Sequence, residues 1–508
     1  MITTFTITGS NVLANSVEVI GNLEGNAAGG PYKIPLRIVY PTGGSPVLRR
    51  AVIEPWNNVF VERFTATGTT IIDIAYHVLG IPYLVEERGY TYVEHEWNKL
   101  MIDGQVAAGI SPRHTANLFF GALPFPVDPT LVISAATDGY EIMADVSTFT
   151  RNPTAYNAFA GLPSPSPSDK AFSFGASQTG MLLRDFAMNS RNSSLGAGFP
   201  NGLVYEGTFA GLPGSQVRTL VNVPALGFYV YDAVPGPTPA SEGAFLNMNS
   251  ETDMFMFQGI LARDAAPPPH YAFYEIAGVA HNSGEFGPFI RPVQNTRLAG
   301  PFFRAMLENL RSFVDLGIAF PPPQVLEGSA ATRDQPLFPN NAPITGFAQV
   351  AGFTVNTYVG VPSPEDGNFL GGIRPPHLLT RLPNGSCVGA PLGTYRGTLA
   401  LTLDYPDNSL PNAIQIMPSP PGTLIGTESL IMNAGFFAAW EPALINRWYR
   451  DACEYVTQVE AGANYALANR WILPADRDAY VAEAASFTTQ ELLDMGLRRL
   501  VPPPPPTC

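Results

Sequence analysis

Phe174-Gly175-Ala176-Ser177-Gln178-Thr179-Gly180 lies between a short apolar strand, Ala171 to Phe174 (AFSF), and a helical stretch, Met181 to Met188. Leu182, Leu183 and Phe186 give that stretch one apolar face. A serine in so tight a strand-to-helix turn has its side chain pushed out at the carboxyl edge of a sheet. The turn also brings strand and helix so close that the residues two places either side of the serine must be small. Gly175 meets that demand, Thr179 meets it less well, and the next glycine, Gly180, comes one place late. The helix N-terminus beneath Ser177 offers N–H groups, and that of Gln178 is placed to face a developing oxyanion. Alone, the pattern also fits an ordinary turn with a capping serine, so its meaning depends on partners elsewhere in the chain.

A serine nucleophile in such a turn needs an acid and then a histidine, in that order, at the ends of later strands. Three histidines follow it: His270, His281 and His377. His281 ends the small-residue loop Ala277-Gly278-Val279-Ala280-His281, just after the strand Tyr271 to Ile276 (YAFYEI) and before an amphipathic helix, where a general base is expected. His270 opens a strand after three prolines and His377 follows Arg374-Pro375-Pro376, so neither has that setting. For the acid, the strand Ala244 to Met248 (AFLNM) runs into Asn249-Ser250-Glu251-Thr252-Asp253. Asp253 is the favoured partner for the imidazole, with Glu251 as the alternative, and the one not used is expected to cap the following helix. A second oxyanion donor is expected from the loop after an early strand, and Trp56-Asn57-Asn58, directly after Arg50 to Pro55 (RAVIEP), supplies Asn57 and Asn58 as candidates.

Further out, Lys33 to Tyr40 and Tyr90 to Trp97 read as strands rich in β-branched and aromatic residues, and Thr70 to Leu79 as a helix between strands. That alternation predicts a mostly parallel sheet. Asn152 to Asp169 reads as loop, and Asn189 to Gly214, rich in Gly, Ser and Asn, as loop around one strand at Leu203 to Tyr205, with 189–214 a candidate lid. Arg297 to Leu316 is an amphipathic helix stopped by Pro321-Pro322-Pro323. A boundary is placed there: 1–323 as the catalytic unit and 324–508 as an extension packed on it. Within the extension, Phe353 to Pro411 is irregular and strand-like, Leu444 to Asn469 reads as one long helix and Asp476 to Ala485 as another.

The chain has 508 residues and is 45% hydrophobic, enough apolar material for a large core. Its net charge is −14, and Lys33, Lys99 and Lys170 are its only lysines. Without clustered cations, nucleic acid is excluded as a partner. The most apolar stretch, Ile71 to Val85, is interrupted by Asp73 and His77 and is too short to span a bilayer. The opening MITTFTITGSNV has no basic-then-apolar leader, so the chain is expected to be cytoplasmic or to have lost a signal segment. Cys387, Cys453 and Cys508 allow at most one bridge with one thiol left over. There is no HExxH or CxxC pattern, and no metal or cofactor is expected.

Gly175 to Gly180 with Leu183-Arg184-Asp185-Phe186 resembles a family of large α/β-hydrolase-domain proteins whose nucleophile region reads G-x-S-Q-[ST]-G followed by Leu-Arg-x-Phe. Arg50 to Asn58, Asn249 to Asp253 and Glu275 to His281 are similar to that family's early strand, acid and histidine segments. Leu203 to Gly207 resembles its Phe-Asp-Gly strand end, with Glu206 departing from the Asp. Gly372-Ile373-Arg374-Pro375, Leu392 to Gly397 and Arg447 to Ala485 extend the likeness over most of the chain. The resemblance implies an α/β-hydrolase fold with a Ser-acid-His site, and a C-terminal region that is part of the enzyme.

On this reading a small ester is cleaved through an acyl-enzyme, with Ser177 as nucleophile and His281 as its base. Amide hydrolysis or acyl transfer with the same residues, and an inactive binding protein of the same fold, are the alternatives. Arg374 is a candidate for a substrate carboxylate, though a buried structural ion pair is the more ordinary use of such a residue. Substrate identity and oligomeric state are not legible in the sequence.

Overall fold

The computed structural model describes residues 1–43, 46–57, 78–111, 123, 125–156, 159, 161–220, 229–256, 259–264, 266–281, 290–291, 299–334, 354–397, 415–416, 436–440 and 442–486. The chain opens with three antiparallel strands, β1 (Ile2–Val12), β2 (Ser16–Ala27) and β3 (Gly30–Pro41). After β4 (Arg50–Pro55) comes β5 (Thr91–His95), which lies antiparallel to β3 and parallel to β4. The two-residue β6 (Val132–Ile133) pairs with β3. β7 (Lys170–Ala176), β8 (Gly207–Gly211), β11 (Ala244–Ser250) and β12 (Tyr271–Ile276) then add on in parallel. The sheet runs β1-β2-β3-β5-β4-β7-β8-β11-β12. A hairpin of β9 (Gln216–Leu220) and β10 (Tyr229–Ala233) stands apart from it.

The parallel strands are buried on both faces, which is why AFSF, AFLNM and YAFYEI read as near-continuous apolar runs. On one face α1 (Lys99–Ala108), α2 (Asp138–Arg151) and α3 (Gln178–Met188) bring Ile102, Tyr140, Met143, Phe149, Leu182 and Phe186 against Ala51, Ile53, Val93 and Ala171. On the other, α5 (Gly300–Leu316), which follows the short α4 (Glu251–Met256), lays Phe302, Phe303, Met306 and Leu310 over Phe172, Phe174, Phe209 and Leu246. The rings of Phe174, Phe209 and Phe303 meet at 5.2–6.1 Å, and full burial of each is worth about 1.5–3 kcal/mol.

The chain beyond Pro323 returns to the same sheet. The Gln324 carbonyl accepts from the Glu275 N–H (2.9 Å), and Ile373 donates to Glu275 (2.7 Å) and accepts from Ala277 (3.0 Å), which extends the sheet sideways past β12. Ala463 and Ala466 of α7 (Ala452–Ala468) join the core that α5 covers.

Several sequence expectations need correction. The strand near residue 205 is Gly207–Gly211, not Leu203–Tyr205. Its glycines disguise it as loop, yet a Cβ on Gly207 would meet the Phe172 ring and one on Gly211 the Phe303 ring, so only glycine lets the layers close. Within 189–214, β8 lies in mid-sheet and Asn192 is fully buried, donating to the carbonyls of Tyr205 and Glu242. The expected helix Leu444 to Asn469 is two, α6 (Pro442–Trp448) and α7, because the Asp451 side chain caps a new start at the Glu454 N–H. α8 (Pro474–Ser486) begins two residues earlier than expected. β1, β2, α1 and α2 had no counterpart in the sequence reading, and most of the helix expected at Thr70 to Leu79 lies outside the described residues. Cys453 is disulfide-bonded and Cys387 is a free thiol.

His95, at the end of β5, is fully buried, and burial lowers its imidazole to about 4 from an ordinary 6.5. As pH falls the unfolded chain takes up this proton first. The group's contribution to stability is therefore complete above pH 6.5 and is lost on the way down to pH 4. Urea unfolding at pH 7 and pH 5 should show about 2 kcal/mol of pH-dependent loss from this residue alone. His95→Gln should flatten the slope by that amount; an unchanged slope would mean the imidazole titrates normally in the folded protein.

Candidate active site

The β7–α3 turn holds Ser177 at φ 56° and ψ −121°, a conformation that L residues rarely occupy. Its N–H donates to the Gly211 carbonyl of β8 (2.8 Å) and its carbonyl accepts from Met181 (2.9 Å), so the residue is tied to strand and helix at once. The Ala176 carbonyl just before it accepts from the Thr179 hydroxyl (3.1 Å) and from the Asn57 side-chain amide (2.6 Å). From Ala171 to Ala187 every residue except Ser177 is buried.

The glycine spacing that looked irregular in sequence has a geometric cause. A Cβ on Gly175 would stand 2.9 Å from the Thr179 hydroxyl, so the pair fits with only one of them small. Gly180 answers a different contact: a Cβ there would drive into the Gly211 carbonyl oxygen, where α3 crosses β8.

The acid and the histidine come from β11 and β12, the parallel strands on the far side of β8. β11 ends at Ser250 and α4 begins at once, placing Asp253 in its first turn. β12 ends at Ile276 and five residues later the chain reaches His281. The His281 Nδ1 lies 2.6 Å from Asp253 Oδ1 and its Nε2 2.9 Å from Ser177 Oγ. With the ring proton on Nδ1, the imidazole donates to the carboxylate and accepts from the serine hydroxyl. Asp253 is fully buried, and its second oxygen accepts from the Ser250 N–H (2.6 Å) and hydroxyl (2.7 Å), which fixes its rotamer. A neutral imidazole so oriented can take the serine proton while the carboxylate favours the imidazolium that forms.

Glu251, the alternative acid, is placed otherwise. Its two oxygens accept from the N–H groups of Gly278 (2.8 Å) and Gly397 (3.0 Å), and Asp253 is the carboxylate at Nδ1. Gln178 begins α3 beside Ser177 and is buried. Asn57 reaches the turn through its side chain, while Asn58 lies outside the described residues. Arg374 is buried within the C-terminal region, where it donates to the Phe369 carbonyl and stands 3.7 Å from Asp366; burial lowers its guanidinium's proton affinity, opposed by Asp366 and Glu251. His270 contacts the Thr238 carbonyl (2.9 Å) and His377 packs edge-on to Tyr395. Among the described residues, no group of three His, Cys, Asp or Glu side chains is placed to hold a metal ion. No described helix is long and apolar enough to cross a membrane.

Two residues at this edge escaped the sequence reading. The Thr252 hydroxyl accepts from the His281 N–H (2.9 Å) and donates to the Gly397 carbonyl, and Ser250 supports Asp253. A threonine between two carboxylates carries no pattern that would single it out.

A sequence profile of the alpha/beta hydrolase domain matches residues 56–482. The chain belongs to that family. The match includes β4's exit at Trp56, the serine turn, the acid and histidine segments and most of the chain past Pro323. No curated protein matches the sequence. Among solved structures, a CE15 glucuronoyl esterase from Teredinibacter turnerae overlaps it at 14% identity and a TM-score of 0.20. The overlap covers 41% of this chain and 44% of that one, less than half the length of either. The hydrolase-domain assignment rests on the profile and on the parallel sheet order with helices on both faces.

Gly180→Ala should destabilise the protein by about 1–3 kcal/mol, since the methyl group meets backbone that cannot give way. Gly109→Ala is the comparison: that glycine caps α1 with open space around it, so its cost arises from backbone conformation alone. Urea midpoints for the two decide, and equal losses would show that the α3–β8 approach is not tight.

Proposed function

We propose that this member of the alpha/beta hydrolase domain family is a serine hydrolase that cleaves a carboxylic ester through an acyl-enzyme. The observation that carries the reading is the relay from Ser177 Oγ through His281 to Asp253, at 2.9 and 2.6 Å, at the carboxyl ends of three parallel strands of one sheet. In this mechanism His281 Nε2 removes the Ser177 proton as Oγ attacks the ester carbonyl, and a tetrahedral intermediate forms. The N–H of Gln178, at the start of α3, donates to its oxyanion, with Asn57 or Asn58 on the β4 side supplying the second donor. The imidazolium then gives its proton to the leaving alcohol. Water, deprotonated by the same nitrogen, attacks the acyl carbonyl; the bond to Oγ then breaks, Oγ takes the proton back from the imidazolium, and the carboxylic acid is released.

Residues 1–323 would carry all three of these groups, and 324–508 would pack on them as an extension. The substrate is expected to be a small uncharged or apolar ester, in keeping with an acidic, aromatic-rich chain. The ester and the amide readings differ in how well the leaving group must be protonated, and paired ester and amide substrates separate them.

A fluorophosphonate should label Ser177, with the adduct located by mass spectrometry, and Ser177→Ala should lose both the adduct and short-chain aryl ester turnover. Asp253→Asn should keep the fold and lower kcat by about 10⁴, because the imidazole then holds its proton on the wrong nitrogen. Glu251→Gln leaves the carboxylate at Nδ1 in place, so a loss of the same size there would reassign the acid. An adduct on another serine would sink the reading.

A further inference from the structure

We propose that Glu251, Thr252 and Gly397 form a staple by which the C-terminal region positions His281 for proton transfer. The inference rests on the reading of Ser177, His281 and Asp253 as the reacting groups. Three loops meet at this point. The acid loop offers the side chains of Glu251 and Thr252, the histidine loop offers the N–H groups of Gly278 and His281, and the C-terminal strand Gly393–Arg396 runs directly into the peptide of Gly397.

The contacts are reciprocal. Glu251 accepts from Gly278 with one oxygen and from Gly397 with the other, across 146 positions of sequence. Thr252 takes the N–H of His281 on its hydroxyl oxygen and gives the hydroxyl proton to Gly397. Both polar groups of the Gly397 peptide are thus engaged by two successive residues of the acid loop. Position 397 admits no side chain, because a Cβ there would stand 2.6 Å from the Val279 carbonyl and collide with Glu251. Glu251 and Thr252 are fully buried, so none of these bonds has water as a ready substitute.

The consequence for chemistry follows from where the bonds attach. The N–H of His281 is held by the Thr252 hydroxyl, and Thr252 is bonded along the chain to Asp253. The hydroxyl therefore fixes the distance between the backbone that carries the ring and the backbone that carries the carboxylate. Without Gly397 to orient it, the hydroxyl is free to rotate away from His281. The Nδ1–Asp253 contact of 2.6 Å is the quantity this arrangement controls. None of the three residues touches the reacting atoms; they are positioning residues.

The test uses the full-length chain with Thr252→Val, which keeps the shape and removes the hydroxyl, and Thr252→Ser, which restores it. Aryl ester kinetics are normalised to active sites titrated with the fluorophosphonate, and the far-downfield proton resonance of His281 Nδ1–H is recorded for each. Thr252→Val should lower kcat per site by about 10- to 100-fold with little change in KM, slow labelling of Ser177 in parallel, and displace or broaden the downfield proton. Thr252→Ser should recover kcat to within about threefold and return the resonance to its wild-type position. Wild-type kcat per titrated site and an unmoved resonance in Thr252→Val would overturn the proposal, whether or not the variant melts earlier, since Thr252 would then serve folding alone. Failure of the wild-type protein to label at Ser177 is a different result: it removes the hydrolase reading, while the resonance in wild type and Thr252→Val still decides whether the staple sets the His281–Asp253 contact.

Discussion

The backbone of Ser177 sits at φ 56° and ψ −121°, which costs a residue bearing a β-carbon on the order of 1–3 kcal/mol, and the architecture around it exists to impose that conformation. A strained residue persists only where its neighbours over-determine it. Here the strand before it is locked on both sides, by β4 and β8, and the helix after it is pressed onto β8 through Gly180. β8 supplies no reacting group, yet it accepts the Ser177 N–H and separates the nucleophile's strand from that of the acid. The Phe174–Phe209–Phe303 cluster beneath the turn resists any relaxation by sideways movement, because close-packed aromatic rings leave no room for it.

Three carboxylates lie fully buried at the ends of β11 and β12, and the physics of burial decides what each does. An ionised carboxylate away from water must be met by donors. Asp253 is met by Ser250 and the imidazole, Glu251 by two backbone N–H groups, and Glu275 by a two-pronged contact from Arg263 at 2.6 Å with the Leu326 N–H at 2.8 Å. Burial still pushes Glu275 upward, with Arg263 pulling it back. Two of the three, Glu251 and Glu275, take donors from beyond Pro323. The edge of the sheet that carries the acid and the histidine is therefore not complete in the first 323 residues.

What could be read from sequence was what local chemistry dictates. The serine turn, the order of acid and histidine, and the apolar strands β7, β11 and β12 follow from short-range pattern, and the structure brings Ser177, Asp253 and His281 within hydrogen-bonding distance. β8 was misplaced because its glycines answer to Phe172 and Phe303, which are distant in sequence. Sequence favours Asp253 over Glu251 as the imidazole's partner, but the task of Glu251 is not helix capping: it takes the N–H groups of Gly278 and Gly397, one of them from a segment 146 residues away. The break between α6 and α7 was a matter of one capping aspartate outweighing a continuous helical period. β2 has no legible pattern because Glu18, Asn22 and Glu24 interrupt the apolar run, and Glu18 and Asn22 are buried with partners on other strands and loops.

Those buried polar residues connect the antiparallel half of the sheet to the site. Glu18 of β2 pairs with Arg37 of β3 at 3.0 Å, and Arg37 with Glu94 of β5 at 2.7 Å. The Tyr92 hydroxyl then stands 2.9 Å from Glu94 and 2.7 Å from Glu54 of β4. Complete burial raises the proton affinity of Glu94, against the pull of Arg37 and of its hydrogen bond with Tyr92. The row works in one register only, since a one-residue slip of any strand sends its side chain to the opposite face. Three residues beyond Glu54 on the same strand exit stands Asn57, whose amide holds the Ala176 carbonyl under the nucleophile. Fixing the register of β4 through buried charge thus fixes where Asn57 meets the serine turn. Apolar residues in the same positions would pack as well, but they would pin the register less strictly.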